Sequence, residues 1–225
     1  MNFRNTINKS IVLKPWGKEY VIYSDGEKLA ITLLEIKPGM QTSLHCHSKK
    51  KTGFIILKGV AKIQVGIYKK NNFIYKSGSR LVFREGLFHK ISNFSKKNLY
   101  VLEIEKPFIK KDLIRLQDKN GRSNTQYEGK SFFKPIGKDY VVFKKPKKSY
   151  NKYIVYGKTL FINKIYSSRD IIVKKKNSSI AILSGQIIDD KNQVVITAGE
   201  IIKLETLKIL LKRFNINNSL TILEI

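Results

Sequence analysis

The sequence predicts an all-β protein built as two tandem β-barrels of the jelly-roll kind. Three observations carry this. Short runs of β-branched and aromatic residues recur along the chain, broken by Gly, Asn, Ser and Lys. The 225 residues, 42% hydrophobic and 11% aromatic, suffice for two cores of roughly a hundred residues each. The third observation is an internal repeat that runs in the same order through both halves.

Strands are expected at 20–23, 29–37, 53–58, 61–68, 80–83, 89–93 and 99–105, where apolar residues alternate or cluster over strand-like lengths. Helical character is expected only at 107–118, where Ile109, Leu113, Ile114 and Leu116 form a partial apolar face. In the repeat, Lys14-Pro15-Trp16-Gly17-Lys18-Glu19-Tyr20-Val21 recurs as Lys134-Pro135-Ile136-Gly137-Lys138-Asp139-Tyr140-Val141. Ile56-Leu57-Lys58-Gly59 is echoed by Ile182-Leu183-Ser184-Gly185, Gly78 by Gly199, and Leu102-Glu103-Ile104 by Leu223-Glu224-Ile225. The hydrophilic stretch 117–131 is the expected linker, which sets the domains at 1–126 and 127–225.

The chemistry-bearing residues fall in the first repeat. Gly39 is followed by His45, His47, Gly53 and Gly59, and further on Gly78 and Gly86 precede His89 and Asn93. In a strand, residues i and i+2 face the same side, so His45 and His47 can point inward together while Cys46 points away. A third imidazole from a neighbouring strand, His89, would complete a set able to chelate one ion with open positions left. All three histidines of the chain lie in these motifs. The second repeat carries Ile171, Val173 and Leu210 at the aligned positions, so it is expected to be an apolar, structural domain.

These glycine and histidine spacings resemble the two motifs of the cupin superfamily, whose members bind a divalent metal through such histidines inside the barrel. The resemblance implies one divalent metal, Zn, Mn, Fe or Ni, held by His45, His47 and His89. Two positions depart from the pattern. The motif-one glutamate is replaced by Lys51-Thr52, and the motif-two proline by Arg84. Gln41 shares the parity of His45 and is the candidate for a fourth or weak ligand.

Within the superfamily, residues 11–125 resemble the cupin part of type II phosphomannose isomerase and mannose-1-phosphate guanylyltransferase. Lys-Pro-Trp-Gly-Lys-Glu at 14–19, Ser43-Leu44-His45, the segment 101–105, Lys111-Asp112-Leu113-Ile114-Arg115, Asp118 and Gly121-Arg122 carry the likeness. That family has glutamine at the place of His45 and glutamate at that of Thr52. Only a short segment lies ahead of the first motif, so no nucleotidyltransferase domain is expected there.

The resemblance implies a metal-dependent aldose–ketose isomerase acting on a small anionic sugar, with Glu103 or Glu35 as the catalytic acid–base and Glu105 a further carboxylate on the same strand. The cations available for a sugar phosphate are the run Lys49, Lys50 and Lys51, with Arg84, Arg115 and Arg122. Lys51 and Arg84 stand out, because each replaces a motif residue of another charge type. Two other readings stay open: a non-catalytic cupin that binds a sugar or nucleotide sugar, and another metal-cupin chemistry such as epimerisation, lyase cleavage or dioxygenation.

Composition narrows the partners. The formal net charge is +27, mostly lysine and spread over both halves, with no basic tail and no nucleic-acid-binding module, which argues against nucleic acid as a partner. No apolar stretch is long enough to span a membrane, and the N-terminus lacks the apolar run of a secretory signal. One cysteine, Cys46, can form no internal disulfide. A cytoplasmic protein without a membrane partner is expected, and a homodimer is compatible with the sequence.

Overall fold

A computed structural model describes residues 3–122, 127–174 and 178–225. The chain is nearly all β and divides into two compact units, 1–142 and 143–225.

The first unit begins with α1 (Phe3–Ile7), followed by β1 (Ser10–Lys14), β2 (Gly17–Ser24), β3 (Ala30–Ile36), β4 (Leu44–Cys46), β5 (Lys51–Lys58) and β6 (Val60–Val65). It continues with β7 (Asn72–Lys76), β8 (Arg80–Phe83), β9 (His89–Asn93), β10 (Leu99–Lys106), β11 (Ile114–Gln117) and, after a 3-10 turn, β12 (Phe133–Pro135). One sheet runs β12-β1-β2-β3-β10-β5-β8 and a second runs β11-β4-β9-β6-β7. Every pairing is antiparallel, as a jelly roll requires. Leu34, Ile36, Phe54, Ile56 and Val101 from the first sheet pack with Ala61, Ile63 and Ile91 from the second in one buried cluster. The core thus lies between the sheets, on the inward parity of each strand.

Two expectations change here. Residues 107–118 form no helix: a turn leads into β11, which pairs with β4 through Ile114↔Cys46 and Arg115↔His45. Their partial apolar face finds nothing to cover it as a helix, whereas as an edge strand the segment gains ladder hydrogen bonds and leaves Ile114 and Leu116 outward. The second change concerns Lys134-Pro135, expected to open the second domain. Phe133–Pro135 pairs with β1, Ser10 opposite Pro135. The boundary between compact units therefore falls at 142/143, while the expected boundary at 126/127 lies at the edge of residues 123–126, outside those described.

The second unit contains β13 (Tyr150–Val155), β14 (Lys158–Ile165), α2 (Arg169–Ile172), β15 (Ser179–Ile188), β16 (Val194–Thr197), β17 (Ile201–Lys203), α3 (Leu204–Leu211) and β18 (Asn215–Glu224). It forms one sheet, β13-β14-β18-β15-β16, with β17 also on β15. In place of the second jelly-roll barrel expected for this half, the described residues form this single sheet with two helices packed on it. Leu204, Leu207 and Leu211 have helical spacing, and with Ile171 of α2 they bury against Ile180, Ile182 and Ile222. Of the positions aligned with the histidines, Ile171 is buried, Leu210 is half-buried in α3, and Val173 is 73% exposed just past α2.

Candidate metal centre and charged pocket

β4 is short, and it sets two of the three histidines. His45 lies directly opposite His89 of β9 and opposite Arg115 of β11, while Leu44 and Cys46 pack on the other face. His47 follows on the inward parity of His45 beyond the strand end. The ring centroids stand 4.6 Å (His45–His89), 5.1 Å (His45–His47) and 5.4 Å (His47–His89) apart. One ligand atom from each lies within 4.8 Å of the others.

The tautomers follow from the hydrogen bonds. Nδ1 of His45 lies 2.9 Å from the Ser43 carbonyl, that of His47 2.5 Å from the Asp112 carbonyl, and that of His89 3.0 Å from the Leu87 carbonyl. A carbonyl only accepts, so each Nδ1 carries the hydrogen and each Nε2 keeps a lone pair. Nε2 of His47 and of His89 are buried with no hydrogen-bond partner. Orphaned buried acceptors are uncommon unless something binds there. Three Nε2 lone pairs converging, each ring oriented by a backbone carbonyl, fit a divalent transition metal. Phe83 stacks on His89 at 4.4 Å and Phe54 meets its edge at 5.6 Å, fixing that ring further. Burial lowers the pKa of all three: His89 goes to about 4, while His45 and His47 go well below the usual range, with His89 a second cause for His45 and Lys50 for His47. The rings are neutral, as ligands must be, at physiological pH.

Beside the triad lies a cavity of about 60 Å³, room for a few waters, walled by His45, His47 and a bed of buried charges. Glu103 and Glu105 of β10 both enter it, two residues apart on one face. Glu105 is gripped by Lys50 at 2.5 Å, Lys110 at 2.7 Å and the Thr32 hydroxyl at 2.9 Å. Burial pushes Glu105 up, but Lys110 and Lys50 overcome it and hold the carboxyl below its ordinary range. Burial and the neighbouring Glu105 charge raise Glu103 to about 7. At the far wall Glu19 accepts from the Tyr127 hydroxyl at 2.5 Å, and Glu128 pairs with Lys14 and, at 2.6 Å, with Arg122. Arg122 also makes a two-point pair with Asp118 at 2.9 and 3.0 Å.

The structure brings together His45, His47, His89, Glu103, Arg115 and Arg122. Gln41 bridges Ser92 and, like Glu35, Lys51 and Arg84, is not among the described residues lining the cavity. Glu35 pairs with Lys18 at 3.2 Å and accepts from Asn98 at 2.9 Å. Arg84 is exposed, and Lys51 has the parity opposite to Lys50, Thr52 and Phe54. Of the lysine run 49–51, Lys50 is the member that lines the cavity. Thr52, at the motif-one carboxylate position, is buried with its Oγ1 unpartnered. Sequence reading missed Lys14, Glu19, Lys110, Asp112, Tyr127 and Glu128. Lys14 and Glu19 lie inside the repeated motif and, like Asp112, in segments that carry the family likeness, the signals that could have flagged them.

A jelly roll with three inward histidines and polar residues lining its cavity defines a cupin-type domain. The chain belongs to the family described as mannose-6-phosphate isomerase C-terminal, whose profile matches residues 2–118, more than half of it. Similar curated proteins include a mannose-1-phosphate guanylyltransferase of Sinorhizobium fredii, 29% identical over 115 residues, and one of Salmonella montevideo, 30% identical over 118. The matches cover 48% and 50% of this chain but 21% and 23% of those proteins, so the chain spans under a quarter of their length. Among solved structures, KdgF from a Halomonas species matches with a TM-score of 0.40 and 11% identity, covering 44% of this chain and 88% of that one. A putative sugar phosphate isomerase from Acidithiobacillus ferrooxidans matches at 0.32 and 23%, covering 35% and 50%.

Proposed function

We propose that the first unit is a metal-dependent aldose–ketose isomerase of a hexose phosphate, of the mannose-6-phosphate type. The observation that carries this is the adjacency of two features: three histidines clustered for a cation, and, in the cavity that His45 and His47 line, a buried carboxyl, Glu103, able to gain and lose a proton near neutral pH. A divalent cation there supplies Lewis acidity towards a carbonyl oxygen. Glu103 takes the proton from the carbon beside the carbonyl and returns it to the carbonyl carbon, while the hydroxyl proton passes to the former carbonyl oxygen; a carboxyl held near 7 is suited to the carbon transfer. Arg115 and Arg122, on the same wall, hold the phosphate. Lys14 and Lys110 keep Glu19 charged, and Lys110 and Lys50 do the same for Glu105.

The test is conversion of mannose 6-phosphate to fructose 6-phosphate by the chain loaded in turn with zinc, manganese, iron and nickel, and again after chelation. Chelator-sensitive turnover is expected, and Glu103→Gln should lower kcat by about 10²-fold or more with metal content unchanged. No turnover with any of the four metals overturns the reading. Thr52 in the carboxylate position favours a second reading, a non-catalytic binder of the same phosphorylated sugar. Binding by calorimetry without turnover would select it.

A further inference from the structure

Two buried lysines grip Glu105, and they are not equivalent. Lys110 Nζ lies 2.7 Å from Glu105 Oε2 and 2.9 Å from Thr32 Oγ1, with oxygens of Glu19 and Glu103 at 3.6 and 3.9 Å. It is surrounded by acceptors. Lys50 Nζ has Glu105 Oε1 at 2.5 Å and, among the described residues, no second acceptor within hydrogen-bond distance. An ammonium carries three N–H donors, so two of those of Lys50 are left over. The side chain is only 3% exposed, and buried donors are ordinarily satisfied. What Lys50 faces is the cavity it shares with His45, His47 and Glu103.

The position of Lys50 is also enforced by the backbone. Between His47 and β5 the chain bends, and Asp112 clamps the bend by accepting from the Ser48 and Lys49 amides at 2.9 and 2.8 Å. Glu105 then holds the ammonium from the far side. A fixed donor beside imidazole lone pairs suits a ligand with two adjacent oxygens, one drawn to a cation and one to the ammonium.

Resting on the isomerase reading for the kind of ligand, we propose that Lys50 binds the reacting end of an open-chain sugar. Its two remaining N–H groups donate to the oxygens on the carbons between which the proton moves. Glu105 is the positioning residue that aims the ammonium. As a proton leaves carbon, negative charge gathers on those oxygens, and an ammonium already in place stabilises it without rearrangement. Lys50 therefore selects for charge at the reacting end of the ligand and is indifferent to the phosphate at the other end.

Two probes separate these ends. Mannonate 6-phosphate presents a planar carboxylate at the reacting end, whereas mannitol 1-phosphate has the same phosphate and a neutral alcohol there. Calorimetry on the metal-loaded chain should show Lys50→Met binding the acid about ten- to a hundredfold more weakly, as expected for a lost hydrogen bond to a charged group, with the polyol unchanged within about threefold. Lys50→Gln, which keeps a donor but not the charge, should fall between, and it decides the matter if Lys50→Met does not fold. Equal loss for both probes, or none, overturns the proposal. Turnover of mannose 6-phosphate is read separately. Selective loss of the acid in a chain that never turns over leaves the Lys50 assignment standing and removes the isomerase reading. Turnover undiminished in a folded Lys50→Met variant removes Lys50 and leaves that reading.

Discussion

Asp112 ties the metal centre to the loop beside it through separate atoms. Its carbonyl accepts from His47 Nδ1, while its carboxylate accepts from the Ser48 hydroxyl at 2.8 Å as well as from the two amides of the bend. Asp112→Ala removes the carboxylate and frees the bend. The expected cost is about 1–3 kcal/mol in thermal stability, together with metal affinity about 10–100-fold weaker by chelator competition. Glu103 gives a prediction of opposite character. Its pKa is raised from 4.5 to about 7, so between those values the folded state holds a proton that the unfolded state has lost. Its contribution is full below pH 4.5 and is lost as pH rises through 7. Glu105, held low by its lysines, contributes in the other direction, adding stability as pH climbs towards 4.5. Denaturant melts of Glu103→Gln against the parent should therefore show a shallower decline from pH 5 to 7, by an amount on the order of 2 kcal/mol. An unchanged slope would mean that Glu103 titrates normally.

Strands explain what sequence could and could not reveal. The His45/His47 spacing puts both rings on one side, and His89 arrives through the antiparallel pairing of β9, so alternation makes the first two legible and the motif spacing the third. The charged bed is legible only in part: Glu103, Glu105, Lys50, Arg115 and Arg122 stand among the candidates, while Lys14, Glu19, Lys110, Tyr127 and Glu128 do not. Its partners come from β1, β2, β10 and the segment after it, and each in isolation reads as one more solvated charge in a chain with 44 basic residues. Motif identity also misled where the backbone differs. Gly17 turns β1 into β2 at φ 148°, and a Cβ there would stand 2.0 Å from the Glu35 carbonyl oxygen, whereas its echo Gly137 has no such φ and follows a strand that joins the first unit. By contrast Gly78 and Gly199 share φ near 90°, so that part of the repeat is structural. Gly17→Ala should displace β2 from β3 and cost about 2 kcal/mol or more, while Gly26→Ala, with φ 62° and open space around it, should cost about 1 kcal/mol from conformation alone. Equal melting temperatures for the two variants would show that the β2–β3 approach can relax.

At the scale of the chain, the asymmetry between the units becomes a thermodynamic prediction. All three histidines lie in residues 1–142, and the aligned positions of the second unit carry Ile171, Val173 and Leu210, side chains with no ligand atom. One divalent ion per chain is expected, and it binds only the folded first unit. A ligand that binds the native state alone stabilises by RT ln(1 + [L]/Kd), about 2.7 kcal/mol at a hundred times Kd. That increment should appear in the first unit and not in the second, because α2 and α3 close the second core without it. Peptide-resolved hydrogen exchange with and without metal measures this directly. Amides of β4, β5, β9 and β10 should gain protection and those of β14, β15 and β18 should not, and His89→Ala should abolish the gain. Equal gains in both units would show that they unfold as one cooperative body, and an unchanged gain in His89→Ala would place the ion elsewhere.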